Sequence, residues 1–141
     1  MSLTTTRAEI LRAVYEGVAL SLVECIEALQ ISRDLVVSGG GFRSDLLCEI
    51  LADATGLNVV RQDAPEAGAR GAAVLALVSA GRFPDVAAAA AALGTSMQTF
   101  TPDPAHRDAY RRTSDVFRRT RDALRPVWPE LRVLRRQSRA E

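Results

Sequence analysis

The sequence lacks a long hydrophobic run. No apolar stretch approaches the roughly 20 residues that a helix needs to cross a bilayer, so we expect no membrane partner. The segment from Met1 to Thr6 has no basic stretch followed by a continuous apolar one, which argues against a secretory signal. These two absences predict a cytoplasmic location.

Residues that usually carry metal or nucleophilic chemistry are scarce, with two cysteines and one histidine in the chain. Cys25 and Cys48 lie within helical patterns and lack Cys-x-x-Cys or His spacing, so neither a metal site nor a disulfide is indicated. We expect both thiols to pack in or near the core. His106 lies in a polar helix start without a Ser or Cys partner, which favours a solvated role. The sequence therefore predicts no catalytic residue and no metal ligand.

Lysine is absent, so arginine provides every basic side chain. Residues 1–103 carry 7 arginines and 12 acidic residues (net −5), whereas residues 104–141 carry 11 arginines and 5 acidic residues (net +6). In the basic part, Asp108, Asp115 and Asp122 alternate with arginines at seven-residue steps, which is typical of an ion-paired solvent face. We therefore do not expect a nucleic acid partner.

What the chain does contain is the material of one α/β domain, because its 141 residues are 48% hydrophobic and 25% charged. The segment Thr6–Glu9 has the pattern of a capping box and predicts the start of a long helix that runs to about Gln30. Apolar residues recur along it at three- and four-residue steps, which predicts one buried stripe. The predicted stripe consists of Ile10, Val14, Val18, Leu22, Cys25, Ile26 and Leu29.

The most informative segment is a strand, a glycine turn and a helix start. Leu35–Val37 is apolar without alternation, as in a parallel strand covered on both faces, and Gly39–Gly41 end it. A helix then begins at Arg43 or Ser44 and ends at Gly56. Missing Cβ atoms let a ligand approach the backbone, and the helix start offers free N–H groups, which is the geometry of a nucleotide site. A tight turn without a ligand is the alternative.

The remaining elements follow from similar local signals. Asp63–Glu66 reads as a second helix start, with Asp63 as the cap and Pro65 in the first turn. Later prolines, followed by a basic tail, predict loops. The predicted elements are a strand at Leu57–Arg61, helices to about Ala80, at Val86–Leu93 and at Ala105–Leu124, and an extended piece at Met97–Phe100.

A dinucleotide site is one interpretation of the glycine turn. Gly39, Gly41 and Ser44, followed by Asp63 about 20 positions on, nearly match the Gly-x-Gly-x-x-Gly fingerprint with its acidic residue. In a dinucleotide domain this strand normally comes first, yet here a long helix precedes it, and Asp63 is better used as a helix cap. A small NAD(P)-binding domain therefore remains a weaker alternative.

Four segments together resemble the FGGY carbohydrate kinases, the group that contains xylulokinase, ribulokinase and glycerol kinase. They follow in the family's order and at its spacing over residues 7–83. The segments are Glu9–Ala19, Ser38–Ser44, Ile50–Gly56 and Glu66–Ala73. The resemblance implies a partial actin-like, ribonuclease H-like α/β domain, with short parallel strands, flanking helices and a helical C-terminal segment. It makes residues 7–125 the later part of the kinase's second domain, residues 1–6 a leader and residues 126–141 a basic tail.

The resemblance also implies a nucleotide-binding role. In the family, the turn that matches Gly39, Gly40 and Gly41 lies against the adenosine of ATP, and Arg43 and Ser44 follow it. Some relatives have an Asn at the position of Ser44, where a serine offers only a hydroxyl. The implied cofactor is ATP with Mg²⁺, and the implied substrate is a sugar or polyol.

By the same resemblance, the sugar-binding residues, the phosphate-binding loops and the catalytic Asp lie upstream of the position that matches Thr6. The missing N-terminal half of the kinase is therefore an implied partner, and residues 1–141 alone are predicted to be inactive. An uncovered sheet edge and apolar face predict self-association. A nonenzymatic binding or assembly module is the alternative from a different functional class.

Overall fold

The structure is a computed structural model, and it describes residues 4–63, 66–94 and 96–137. Helices and strands are mixed as far as Phe100, with α3 and α4 in succession, and only helices follow in the described residues beyond it. The elements are α1 (Arg7–Ala28), β1 (Leu35–Val37), α2 (Asp45–Thr55), β2 (Val59–Asp63), α3 (Ala67–Ser79), α4 (Val86–Ala92), β3 (Ser96–Phe100), α5 (Arg107–Leu124) and α6 (Trp128–Gln137). Short 3-10 turns lie at Gly40–Arg43, Pro104–His106 and Arg125–Val127.

Helix α1 begins with the predicted capping box. The backbone N–H of Thr6 donates to Glu9 Oε2 at 2.7 Å, and the backbone N–H of Glu9 donates to Thr6 Oγ1 at 3.3 Å. Each side chain thus satisfies a backbone donor that the first helical turn leaves free. These bonds lower the pKa of Glu9, with the backbone bond as the larger cause.

The predicted buried stripe of α1 is only partly correct. Ala19, Leu20 and Val23 are buried instead, and Leu22 and Ile26 are partly buried against the core. The other predicted members, Ile10, Val14, Val18, Cys25 and Leu29, are exposed. Helix α1 packs on the core with the face that carries Ala19 and Val23. The exposed members of the predicted stripe lie on a neighbouring face, which points outward.

The sheet has the strand order β1-β2-β3. Strands β1 and β2 pair in parallel, with Leu35 opposite Val59, which confirms the predicted parallel pair. Strand β3 pairs antiparallel to β2 and turns the predicted extended piece into a third strand. The prediction that β1 is covered on both faces is wrong in the described chain, because Val36 is 63% exposed.

The core lies where α1 and α2 meet the sheet. Its fully buried side chains include Cys48, Ile50 and Leu51 from α2 and Val59 from β2. Helix α2 has the predicted ends. Its N-cap is Ser44, and Gly56 closes it in the left-handed conformation at φ 71°.

The predicted start of the third helix is wrong. Asp63 belongs to β2 and pairs with Ser96 of β3, because the antiparallel ladder extends that far. Helix α3 begins at Ala67 after Glu66, which has a φ of 56° and makes no side-chain cap bond. Residues 64 and 65, which include the predicted first-turn proline, lie outside the described residues.

The predicted basic tail is helical from Trp128 to Gln137, and residues 138–141 lie outside the described part. Pro126 lies at the start of the 3-10 turn Arg125–Val127, where its missing N–H costs no hydrogen bond. Pro129 likewise falls at the start of α6. In the described ranges, no helix has the length and apolar character needed to cross a membrane.

Candidate functional site

The glycine turn links the end of β1 to the start of α2. Gly39 has φ 101° and ψ 173°, a conformation that residues with a Cβ essentially do not adopt. A single turn of 3-10 helix follows over Gly40–Arg43, and the backbone N–H of Phe42 donates to the Gly39 carbonyl at 3.2 Å. Gly39 therefore sets the direction in which the chain leaves the sheet.

Ser44 caps α2 directly after this turn. Its Oγ accepts a long hydrogen bond of 3.4 Å from the backbone N–H of Leu47. As an acceptor in that bond, the hydroxyl keeps its own proton for donation to another group.

A groove with a volume of about 600 Å³ lies between this turn and α1. One wall comes from the turn and from the first turn of α2, and the other from α1. The lining residues are Gly40, Gly41, Arg43, Ser44 and Leu47 on one side and Leu11, Val14, Tyr15 and Val18 on the other. The structure thus brings four of the five predicted site residues into one groove, whereas Gly39 shapes the turn without lining it.

Gly40 and Gly41 leave the groove open. A Cβ added to either residue would meet no atom within 4 Å, and neither has a positive φ. The fold itself therefore does not require glycine at these two positions. Their bare backbone provides room for another molecule.

The α1 wall was missed as part of the site. The sequence predicted Val14 and Val18 to be buried, and nothing in the periodicity connected them with the glycine turn. Val14 is 60% exposed and forms the groove together with Leu11 and Val18. A helical pattern indicates which residues share a stripe, but it does not indicate which neighbour covers that stripe.

Arg61 of β2 was also missed, and it holds the turn from below. Its Nη1 donates to the carbonyl of Phe42 at 3.1 Å and to the carbonyl of Arg43 at 3.4 Å. The same nitrogen lies 2.6 Å from Asp45 Oδ1, and Nη2 donates to Gln98 Oε1. The sequence signal that could have indicated it is an arginine that directly follows the apolar pair Val59–Val60, and the structure places this arginine opposite Val37 at the end of β1.

Cys48 lies beneath the same turn. It is fully buried, and its Sγ donates to the Phe42 carbonyl at 3.5 Å. Burial raises the pKa of the Cys48 thiol, and nearby Arg61 opposes that effect. A protonated, enclosed thiol has a packing role here.

His106 anchors a loop to α2. Its Nδ1 lies 2.7 Å from Asp53 Oδ2, and Asp53 Oδ1 accepts a bond of 2.7 Å from the backbone N–H of Asp103. Asp53 is largely buried, so this pair joins the end of β3 to the body of the domain. The contact is structural and lies away from the groove lining.

Comparison with known proteins fits this arrangement. A family model described as "FGGY family of carbohydrate kinases, C-terminal domain" matches residues 1–80, which is more than half of the chain. The chain belongs to this FGGY family. The resemblance of the four segments is thereby confirmed, and the family consists of enzymes that phosphorylate carbohydrates.

Individual relatives agree with the family. An autoinducer-2 kinase from Enterobacter sp. (strain 638) is 38% identical over 111 residues, which cover 74% of this chain and 21% of that kinase. The crystal structure of xylulose kinase from Rhodospirillum rubrum aligns with a TM-score of 0.74 and 30% identity over 90% of this chain and 27% of that one. The structure of Plasmodium falciparum glycerol kinase with ADP aligns with a TM-score of 0.69 and 23% identity over 88% and 26%.

These alignments confirm the predicted fold class, an α/β part of an actin-like sugar kinase. The chain spans about a fifth of the length of the curated relatives that it matches. Residues 1–80 correspond to the C-terminal domain of the FGGY carbohydrate kinases.

Proposed function

We propose that this chain supplies the adenosine-binding wall of an ATP-dependent kinase that acts on a sugar or polyol. The observation that carries the proposal is the groove in which the bare backbone of Gly40 and Gly41 faces the apolar side chains of Leu11, Val14 and Val18. The ADP in the structure of the Plasmodium glycerol kinase, which shares the fold, supports a nucleotide as the ligand.

The chemistry of the groove suits an adenosine. A purine ring is flat and apolar on its faces, so it gains from contact with aliphatic side chains and with a backbone that lacks Cβ atoms. Ser44 can donate its hydroxyl proton to a ring nitrogen, and Arg43 adds guanidinium donors at the same end. In this proposal Ser44 provides a single hydroxyl where some relatives have an amide.

In this proposal the metal site lies outside the groove. We propose Mg²⁺ as the companion of ATP, but no described residue lining the groove carries a carboxylate, the ligand that Mg²⁺ prefers. The residues here therefore do not fit a Mg²⁺ site, and we assign the metal and the phosphates to the upstream part of the kinase. Phosphoryl transfer needs an aligned acceptor hydroxyl, neutralised phosphates and an oriented base. We accordingly propose that residues 1–141 alone transfer no phosphate.

The choice of substrate also belongs upstream. The three relatives described above act on autoinducer-2, xylulose and glycerol, although they share this segment. A segment common to enzymes with such different acceptors serves the shared nucleotide. We therefore propose a sugar or polyol as the class of acceptor.

A coupled ATP-consumption assay of the full-length kinase against a panel of ketoses and polyols tests the proposal. We expect at least one acceptor to stimulate ATP consumption, and we expect residues 1–141 alone to consume none. A folded full-length protein that consumes no ATP with any acceptor would contradict the kinase assignment. Binding of NAD in calorimetry would then support the dinucleotide-binding alternative. Binding of neither ATP nor NAD would support the nonenzymatic module. Phosphate transfer by residues 1–141 alone would refute the proposed inactivity.

A further inference from the structure

We propose that Arg61 is a positioning residue for the nucleotide groove, acting through the glycine turn. This inference rests on the proposed adenosine role of that turn. Arg61 is not among the residues that line the groove, so any effect on nucleotide affinity must pass through the backbone that it holds.

The glycine end of the turn has few side-chain constraints, whereas Phe42 packs partly buried against the core and its carbonyl also accepts a bond from Cys48 Sγ. Gly40 and Gly41 have no side chains to pack, and the 3-10 turn has no side-chain cap bond at its start. Within it, the backbone N–H of Phe42 bonds to the Gly39 carbonyl. The carbonyls of Phe42 and Arg43, at its far end, are the groups that Arg61 holds from the sheet side.

The guanidinium is itself fixed before any ligand arrives. The Arg61 side chain is only 14% exposed, and it is clamped between Asp45 at the start of α2 and Gln98 on β3. Its guanidinium carbon also lies 5.2 Å from the centre of the Phe100 ring, within range for a cation–π contact. The planar guanidinium suits this task, because Nη1 lies among the two carbonyls and the Asp45 carboxylate while Nη2 donates to Gln98.

Replacing Arg61 should therefore loosen the turn without removing any atom that touches the nucleotide. The wild-type turn is ready for binding, whereas a loosened turn has to be ordered when the nucleotide binds, which weakens affinity. The sugar site lies in another part of the kinase, so its affinity should not change. This split between the two substrates distinguishes positioning from general loss of structure.

The experiment compares three variants of the full-length kinase. For Arg61→Met we expect the KM for ATP, and the Kd of a non-hydrolysable ATP analogue in calorimetry, to rise about tenfold. The KM for the sugar should stay within about twofold of wild type. Arg61→Lys keeps the charge but loses the planar guanidinium, so its KM for ATP should lie between that of wild type and that of Arg61→Met.

Arg70→Met is the matched control. The Arg70 guanidinium also donates to two backbone carbonyls, those of Ala90 and Leu93, both at 3.3 Å. It lies outside the groove lining, so its loss should lower the melting temperature and leave the KM for ATP unchanged.

An unchanged KM for ATP in Arg61→Met would overturn the inference while leaving the kinase assignment intact. Equal increases in the KM for ATP and for sugar would also overturn it. If Arg61→Met does not fold, the Arg61→Lys variant tests the inference instead. An unaltered KM for ATP in Arg61→Lys would then show that Arg61 does not position the glycine turn. A wild-type kinase that neither binds nor consumes ATP would remove the proposed function, and this inference with it.

Discussion

At Gly39 the backbone occupies φ 101° and ψ 173°, whereas Gly40 and Gly41 have no positive φ. The three glycines therefore serve different purposes. The first is needed by the fold, because the chain must leave β1 in a conformation that a Cβ disfavours. The other two are free of that constraint and border the open groove.

Gly39→Ala and Gly40→Ala should change stability in opposite directions. We expect Gly39→Ala to destabilise residues 1–141 by about 1–3 kcal/mol, because alanine is strained at that φ and ψ. Gly40→Ala should stabilise them by about 0.4–1 kcal/mol, because its Cβ has space and the unfolded chain loses freedom. Urea denaturation followed by circular dichroism measures both, and equal effects would contradict the assigned roles.

A larger side chain at Gly41 should affect binding and spare the fold. Gly41→Leu places four carbons in the groove, where the Cβ meets no protein atom within 4 Å. In the full-length kinase we expect the KM for ATP to rise about tenfold or more, since the leucine side chain and the nucleotide would compete for the same groove. The melting temperature should change little. A KM for ATP equal to that of wild type would show that the nucleotide lies elsewhere.

The two cysteines should differ sharply in reactivity. Cys25 is exposed, contrary to the sequence prediction, whereas Cys48 is fully buried with a raised thiol pKa. The thiolate is the reactive form, so both burial and the raised pKa protect Cys48. With a thiol-reactive disulfide reagent at neutral pH, we expect one equivalent to react at once and the second only after unfolding. Rapid reaction in the Cys25→Ser variant would contradict this.

At the scale of elements, α1 and α5 meet through long polar side chains. Tyr110, which is buried, accepts from Arg12 at 3.0 Å. Further along, Arg118 pairs with Glu27 at 3.0 Å, and Arg121 pairs with Glu24. The basic C-terminal part of the chain is thus partly neutralised by the acidic side chains of α1.

The Arg12–Tyr110 contact should measurably couple the two helices. A double-mutant cycle with Arg12→Met and Tyr110→Phe should give a coupling free energy of about 1 kcal/mol, as expected for a partly buried hydrogen bond. Tyr110→Phe keeps the ring and its packing, so the cycle isolates the hydroxyl. Urea unfolding of the four proteins gives the value. Strict additivity of the two single changes would show that the contact contributes nothing.

Elements that depend on local signals were predicted well. The capping box at Thr6, the left-handed Gly56 and the strand-turn-helix around Gly39–Gly41 are each determined by a few adjacent residues, and all were found. Asp63 was assigned wrongly because its local cap signal competes with pairing to β3, which comes from more than thirty residues further along the chain. The local pattern could not reveal that partner.

The candidate site shows the same division. The sequence predicts Gly40, Gly41, Arg43 and Ser44 as neighbours in one site because they lie within five consecutive positions, and the structure places all four along one groove. The opposite wall on α1 and the support from Arg61 were not predicted, since both depend on how distant elements pack. Tertiary contacts of this kind leave little trace in the periodicity of a single sequence.

At the scale of the molecule, the described chain exposes sheet edges and several apolar side chains. Strand β1 pairs only with β2 in the described sheet, and Val36 on that strand is exposed. Leu11 and Val14 are exposed on α1 as well. Unpaired strand edges and exposed apolar side chains are both features through which proteins associate.

We propose that residues 1–141 self-associate and that the exposed apolar side chains of α1 contribute to the contact. Sedimentation at micromolar concentration should show dimers or larger species, and Val14→Glu should shift the population toward monomer. Val133→Glu on α6 is the matched control, because Val133 is similarly exposed but lies on a different helix. A monomer for wild type, or equal effects of the two changes, would contradict this interface.

The clamp around Arg61 also bears on how the protein emerges from the ribosome. Gln98, which holds the guanidinium, follows Arg61 by 37 residues, and Phe100 comes later still. The glycine turn is synthesised early, but the strand that fixes its support arrives only after α3 and α4 have been made. The groove is therefore among the last features of the sheet to form during synthesis, and a chain cut before Ser96 would keep its glycines but lose Gln98 and Phe100 from the surroundings of Arg61.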